Sequence, residues 1–316
     1  MFGVAIVTFL AFSALLFQAQ PILDRWDNKA YPHRVVFSKQ TPYQKIALTK
    51  NKEEVRLYIN RIIQFSSVDE YRYHESLALI PLQLVRHCES VLVLGGGEGL
   101  LVRELLKDER IKKIKVIDLD PSIFELARTN PYVKQINQGA LDDPRVETIA
   151  MDAGLFLQET EEYYDLIIAD LPDPSNEAVA RLYSTRFFNI VKDRLSADGL
   201  FATQATSPFH TRKAFWCIAE TIKACGYQWI QPYHTYVPSF GDWGFVVAGK
   251  RTRAFLPYQN QLPSQYLEPT IVAQMTHFAK DADQPQGLVP NRIDRPSLLD
   301  YYLEDWGKWS KEANKK

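Results

Sequence analysis

The stretch VLVLGGGEGLLVRELL, residues 91–106, decides how the rest of the chain is read. Residues 91–94 are apolar throughout and end at glycine, the pattern of a short strand buried on both faces. From about residue 99 to 107 the apolar positions recur at helical spacing. Gly95, Gly96, Gly97 and Gly99 lie between strand and helix. They let the backbone turn sharply and approach a ligand, and the following helix start offers unpaired N–H groups. The same alternation continues beyond this point, with strands over 114–117, 146–150, 166–169 and 200–204. Helices over about 121–128, 180–195 and 212–225 separate them, and two last strands follow at 227–233 and 244–248. This order predicts an α/β fold: a doubly wound, Rossmann-like parallel sheet with crossover helices. Upstream, short alternating runs at 45–49 and 55–59 predict hairpin strands of a small N-terminal β-domain.

A dinucleotide fingerprint needs glycine at the first, third and sixth loop positions, and the sixth here is Leu100. The spacing Gly95-x-Gly97-x-Gly99 fits the loop of S-adenosylmethionine-type folds better. Acids mark the ends of four consecutive strands: Glu98 in the glycine loop, Asp118 in IKVIDLDPS, Asp152 in IAMDAG and Asp170 in IIADLPDP. Ligands of open parallel sheets bind at these carboxyl ends. Asp118 is placed to accept from two ribose hydroxyls, and Asp152 to contact an adenine amino group. Asp120, just before Pro121, reads instead as a helix cap. A nucleoside carrying a sulfonium needs about one carboxylate, so the pair Asp170 and Asp173 calls for a second, cationic substrate. A diamine or polyamine fits, because spaced carboxylates would hold its ammonium groups and offset the cost of burying them. Its attacking nitrogen must lose a proton from a pKa of about 10, which an adjacent carboxylate can accept.

At 316 residues, 46% hydrophobic and 12% aromatic, the chain can bury a real core. Lys plus Arg number 37 against 38 Asp plus Glu, and no basic run interleaves with aromatics, so nucleic acid is not an expected partner. Cys88, Cys217 and Cys225 lack metal or CxxC spacing and read as buried thiols of a reducing compartment. Residues 1–23 carry no charge and approach the length of a membrane-spanning helix. Arg25, Lys29, Arg34 and Lys39 follow, which places the remainder in the cytoplasm. The expected organisation is therefore a transmembrane helix over 1–23, a linker over 24–37, the β-domain over 38–80, the Rossmann-like domain over 81–250, and a tail over 251–316. In that tail Leu298, Leu299, Tyr302 and Trp306 have the spacing of a short helix that docks by packing.

The motifs YQKI, IIQFSSVDEYRYHE, LGGGEG, VIDLDP, LDDPRV, MDA and IIADLPDP occur in this order over roughly residues 38–250. Together they resemble the polyamine aminopropyltransferases, the spermidine synthase family. SPFHTRKAFWCIAETI, PYHTYVPSFGDWGF and NRIDRPSLLDYY look like a bacterial branch in which this domain follows several membrane helices. The resemblance implies transfer of an aminopropyl group from decarboxylated S-adenosylmethionine, a co-substrate and not a bound cofactor, to putrescine or a related polyamine, with no metal. It makes Asp170 the proton acceptor and Asp173 an amine ligand. It gives Gln44, Gln64, Asp118, Asp152 and Ala153 to the adenosine portion, and Tyr73 and His74 to the polyamine and the moving chain. Three positions depart from the family pattern: Glu98 replaces an aspartate, Phe240 in PSFGDWG replaces a tyrosine, and Leu171-Pro172 replaces small polar residues between the two aspartates. The rival readings are an S-adenosylmethionine-dependent methyltransferase, a transferase for another amine, and a polyamine-binding membrane module without turnover. A homodimer at the cell membrane is the expected assembly. The full-length chain should partition into membranes or detergent through residues 1–23; a chain that stays monodisperse in detergent-free buffer would contradict this.

Overall fold

The computed structural model describes residues 29–255, 257–259 and 261–313, in two compact units that divide between Val68 and Asp69. The expected membrane helix over 1–23 lies outside the described residues. Among the described residues no helix is long and apolar enough to cross a membrane.

The N-terminal unit is an antiparallel meander of β1 (Arg34–Gln40), β2 (Lys45–Asn51), β3 (Glu54–Ile59) and β4 (Ile62–Ser66), paired in that order. The two strands expected here are β2 and β3. β1 falls partly in the predicted linker, because it buries no residue and is held by its ladder to β2. β4 follows a tight hairpin in which Asn60 and Arg61 both take positive φ, 51° and 69°, as a two-residue turn of matching twist requires. Tyr31, Ala47 and Tyr58 form a small buried cluster with Val35 and Ile63 packed against it.

The second unit begins earlier than the predicted boundary at residue 80. Helix α1 (Glu70–Leu84) belongs to it, because Leu77, Leu79, Ile80 and Leu82 are buried there. After α1 come β5 (Ser90–Gly95), α2 (Leu100–Leu105), β6 (Lys113–Asp118), α3 (Pro121–Thr129), α4 (Pro131–Asn137), β7 (Val146–Ala150), α5 (Ala153–Glu159) and β8 (Tyr164–Asp170). α6 (Glu177–Ala180), α7 (Thr185–Arg194), β9 (Leu195–Gln204), α8 (Arg212–Ala224), β10 (Trp229–Val237), β11 (Gly241–Gly249), α9 (Pro269–Gln274) and α10 (Ser297–Ala313) complete it. The helix expected over 180–195 is broken at Ser184, whose hydroxyl caps α7 by accepting from the Phe187 N–H. α4 is an addition to the expected pattern, started by Asn130 as N-cap and Pro131 at its first turn.

The seven strands run β10-β11-β9-β8-β5-β6-β7, with β5 to β9 parallel and the β10–β11 hairpin added antiparallel at the edge. The sheet is therefore mixed where a parallel one was expected. The chain winds outward through β6 and β7, then returns to lay β8 on the other side of β5. This reversal is the topological switch point, where such sheets bind ligands. Gly95 and Asp170 face each other across it, and a Cβ on Gly95, whose φ is 84°, would run into the Asp170 carbonyl oxygen. The expected buried thiols, Cys88, Cys217 and Cys225, are buried and form no disulfide.

Gly95→Ala should lose about 3 kcal/mol, combining left-handed strain with overpacking. Gly287→Ala, at φ 76° with nothing within 4 Å of the new Cβ, isolates the first part and should lose about 1 kcal/mol. Thermal unfolding of both variants checks the difference; equal losses would mean that β8 yields to the methyl group.

Candidate active site

Helix α1 supplies one wall. Its positions 70, 73 and 74 share a face, as residues three and four apart on a helix do. The Tyr73 hydroxyl donates to Oδ1 of Asp170 at 2.6 Å. His74 Nδ1 donates to Glu70, with Oε2 at 2.7 Å and the backbone carbonyl at 2.8 Å, while Nε2 lies 3.7 Å from Oε1 of Glu98. Arg103, from α2, grips Glu70 with two nitrogens at 2.8 and 3.0 Å. Burial alone would raise the Glu70 carboxyl, but His74 and Arg103 outweigh it and hold it at about 2. Burial likewise opposes the His74 cation, yet Glu70, Glu98 and Asp170 raise the imidazole to about 10. His74 is therefore an imidazolium at neutral pH, set among acids.

The strand ends supply the acids. Asp118 accepts from the backbone N–H groups of Gly97 at 3.2 Å and Asp120 at 3.0 Å. Burial pushes it up to about 6, with Glu98 adding to the rise and these two N–H groups opposing it. Asp170 is also held well above the usual carboxylate range, first by burial and then by Glu98, against the pull of His74 and Tyr73. The loop from Asp170 to Asp173 is fixed from behind. Leu171 is packed into the core; the Tyr183 hydroxyl reaches the carbonyls of Leu171 and Pro172, and the Gln204 amide donates to Leu171 at 2.7 Å. Oδ2 of Asp173 accepts from the hydroxyl of Tyr302 on α10 at 3.0 Å. Its Oδ1 is buried and accepts no hydrogen bond within 3.5 Å among the described residues. Burial raises Asp173 to about 6, opposed by Tyr302, Gln204 and Thr206. Next to Tyr73, the rings of Phe240 at 5.9 Å and Phe245 at 5.3 Å form an aromatic wall, and Trp243 packs on Phe240 at 5.2 Å, its buried indole N–H without a partner among the described residues.

Of the residues expected in the site, the structure brings together Tyr73, His74, Glu98, Asp118 and Asp170 around Gly95 and Gly97. A ring nitrogen of His74 and one carboxylate oxygen each of Glu98 and Asp170 lie within 4.8 Å of one another. Gly99, at φ 84°, is the N-cap of α2. Asp120 caps α3 as expected, accepting from Ser122 N at 3.0 Å. Asp152 is a cap as well: its Oδ1 accepts from Leu155 N at 2.9 Å at the start of α5, where Ala153 is the first residue. Gln44 and Gln64 lie in the N-terminal unit. The Thr41 N–H bonds to the Gln44 carbonyl, and the Gln64 amide is 3.2 Å from the Ile62 carbonyl. Sequence reading missed Glu70, Arg103 and Tyr302. Glu70 was within reach, one turn before His74 in the quoted motif. Tyr302 was read as packing, because nothing local ties it to an aspartate 129 positions away.

These elements define a class: a Rossmann-like domain with a glycine loop and buried acids at its switch point, following a small antiparallel sheet. The spermine/spermidine synthase domain family matches residues 70–257, more than half of the chain. The chain belongs to this family. It is 40% identical over 293 residues to polyamine aminopropyltransferase 2 of Ralstonia nicotianae, covering 92% of this chain and 57% of that protein. It is 38% identical over 294 residues to the polyamine aminopropyltransferase of Oceanobacillus iheyensis, with coverage of 92% and 57%. The chain thus spans about half the length of the curated relatives it matches. Spermidine synthase from Thermotoga maritima superposes with a TM-score of 0.70 at 23% identity, over 87% of this chain and 88% of that one. A spermidine synthase bound to the transition-state analogue AdoDATO gives 0.69, also at 23% identity, over 87% of each chain. At that identity the likeness speaks for the fold.

Because the folded-state pKa of Asp173 lies above its ordinary value, its stabilising contribution is complete at pH below about 4 and is lost as pH rises through about 6. Asp173→Asn, which cannot ionise, should match the parent in Tm near pH 4.5. At pH 8 it should exceed the parent by about 1–2 kcal/mol, or a few degrees for a domain of this size. A pH-independent difference would contradict the burial of an ionising group.

Proposed function

We propose that this chain catalyses transfer of the aminopropyl group of decarboxylated S-adenosylmethionine to putrescine, giving spermidine and methylthioadenosine. The observation that carries the reading is the placement of Asp170 at the switch point, hydrogen-bonded by Tyr73, with a second, half-buried carboxylate three residues on. A methyltransferase reading gives the second acid no task; a diamine with two ammonium groups does. The names of the curated relatives support the same activity.

In this reading Asp118 takes the ribose hydroxyls beside the glycine loop, and Asp152 and Ala153 border the adenine. Asp173 holds the far ammonium of the acceptor. The near nitrogen sits at Asp170, whose basicity burial has raised, and passes it a proton. The neutral nitrogen attacks the aminopropyl carbon attached to the sulfonium. The C–N bond forms as the C–S bond breaks, and the electron pair of that bond returns to sulfur, leaving a neutral thioether. Charge moves from sulfur to nitrogen while the surrounding carboxylates stay fixed, so the site works by orientation and electrostatics. Glu98, between the imidazolium and the acids, anchors the ammonium of the moving chain.

Release of methylthioadenosine over a panel of diamines tests the reading; saturable amine binding without release would support a binding module instead. Asp170→Asn should lower turnover by about 10²–10⁴-fold while nucleoside affinity survives. Glu98→Asp should retain substantial activity and Glu98→Gln should lose much of it, since charge rather than length anchors an ammonium; equal activity of Glu98→Gln and the parent on every amine would remove Glu98 from the site.

A further inference from the structure

The C-terminal helix α10 does more than cover the core. It is seated by contacts that do not involve the Tyr302 hydroxyl. Leu298 is fully buried in the main cluster, and Asn291, to which the Leu298 N–H donates, holds the carbonyls of Ala180 and Tyr183. Asp305 accepts from the backbone N–H of Lys213 at 2.8 Å, in the first turn of α8, where Thr211 at the N-cap makes no side-chain cap bond. The Trp309 indole donates to the His210 carbonyl at 3.0 Å, and Trp306 stacks on the His210 ring. With the helix so anchored, the Tyr302 hydroxyl arrives at Asp173 from a fixed direction. Gln204 and Thr206 also stand close enough to favour the charged form of Asp173, though both have stronger bonds elsewhere. The Gln204 amide donates to Leu171 and lies at the Tyr183 hydroxyl, and Thr206 pairs with Thr211 at 2.7 Å.

We propose that Tyr302 is a positioning residue for the acceptor amine: by holding Oδ2 of Asp173 it fixes the carboxylate so that Oδ1, which accepts no hydrogen bond within 3.5 Å among the described residues, is the oxygen offered to the far ammonium. This rests on the proposed function, which makes Asp173 the amine ligand. A carboxylate whose Oδ2 is tied by a fixed hydroxyl presents its other oxygen at one position, so the amine must span a set length from Asp170. The hydroxyl also favours the charged form of Asp173 against burial, and that form attracts an ammonium.

Tyr302→Phe removes one oxygen and leaves the ring, so the helix should stay seated. Calorimetry with putrescine in the presence of methylthioadenosine should show amine Kd raised on the order of tenfold, with methylthioadenosine affinity unchanged. Turnover assays should show the loss in KM more than in kcat, with weaker discrimination among diamines of different length. In an Asp173→Asn background the same substitution should add nothing, because the group it acts through no longer binds the ammonium. An amine Kd within about twofold of the parent's, a tighter one, or an undiminished effect in the Asp173→Asn background overturns the assignment. Amine binding to the parent without product overturns the function reading and leaves Tyr302 fully testable by Kd; no amine binding to the parent overturns both.

Discussion

The crowding of negative charge at the carboxyl ends of the sheet is the constraint on which the rest of the site depends. Glu98 raises both Asp118 and Asp170, and Asp118 adds to the rise of Asp170. Two like charges 4 Å apart repel by about 4 kcal/mol at an effective dielectric of 20, so such a group of buried acids cannot all ionise without compensation. The fold answers in two ways. It supplies cations from behind, where Arg103 neutralises Glu70 and Glu70 in turn holds the His74 imidazolium against Glu98. It also raises Asp118 and Asp173 to about 6 by burial, which makes both stronger bases than free carboxylates while leaving them largely charged at neutral pH.

Helix α1 is the part through which these demands are met together. One face of it carries Glu70, Tyr73 and His74 into the acids, and its remaining polar residues hold the surrounding chain. Asp69, at its N-cap position, accepts from the backbone and hydroxyl of Ser239 at 2.6 and 2.9 Å, fixing the turn between β10 and β11 that carries Phe240. Glu75, fully buried one turn on, accepts from the backbone of Gln265, Tyr266 and Leu267 and so ties the tail to the same helix. Arg72 lies over the Tyr266 ring, its guanidinium carbon 4.5 Å from the centroid. The site, the hairpin and the tail are thus referred to one element.

Two departures from the family pattern find a physical reason in this arrangement. Leu171 stands between the paired aspartates because its side chain is a core residue, so the loop is pinned by apolar burial as well as by Tyr183 and Gln204. Phe240 has no hydroxyl to offer, and its ring instead continues the aromatic surface from Tyr73 to Trp243.

Much of this was legible in the sequence. The four apolar residues before Gly95, the glycine spacing and the alternation of strand and helix determined the Rossmann-like sheet, and the acids at its strand ends were legible as one group, because both signals are local and periodic. Asp120 before Pro121 determined a helix start for the same reason. The edge strand β1 and the hairpin strand β4 were not legible, since a strand that buries little is held by its ladder and not by its own pattern. The division at Val68 and the antiparallel hairpin at the sheet edge were likewise settled by packing. Only the tertiary structure decided that Glu70 and Arg103 sustain the His74 charge and that Tyr302 meets Asp173. Sequence spacing reports which residues share a face of one element, whereas a hydroxyl from α10 reaches an aspartate after β8 only because the closed core leaves that helix one place to seat.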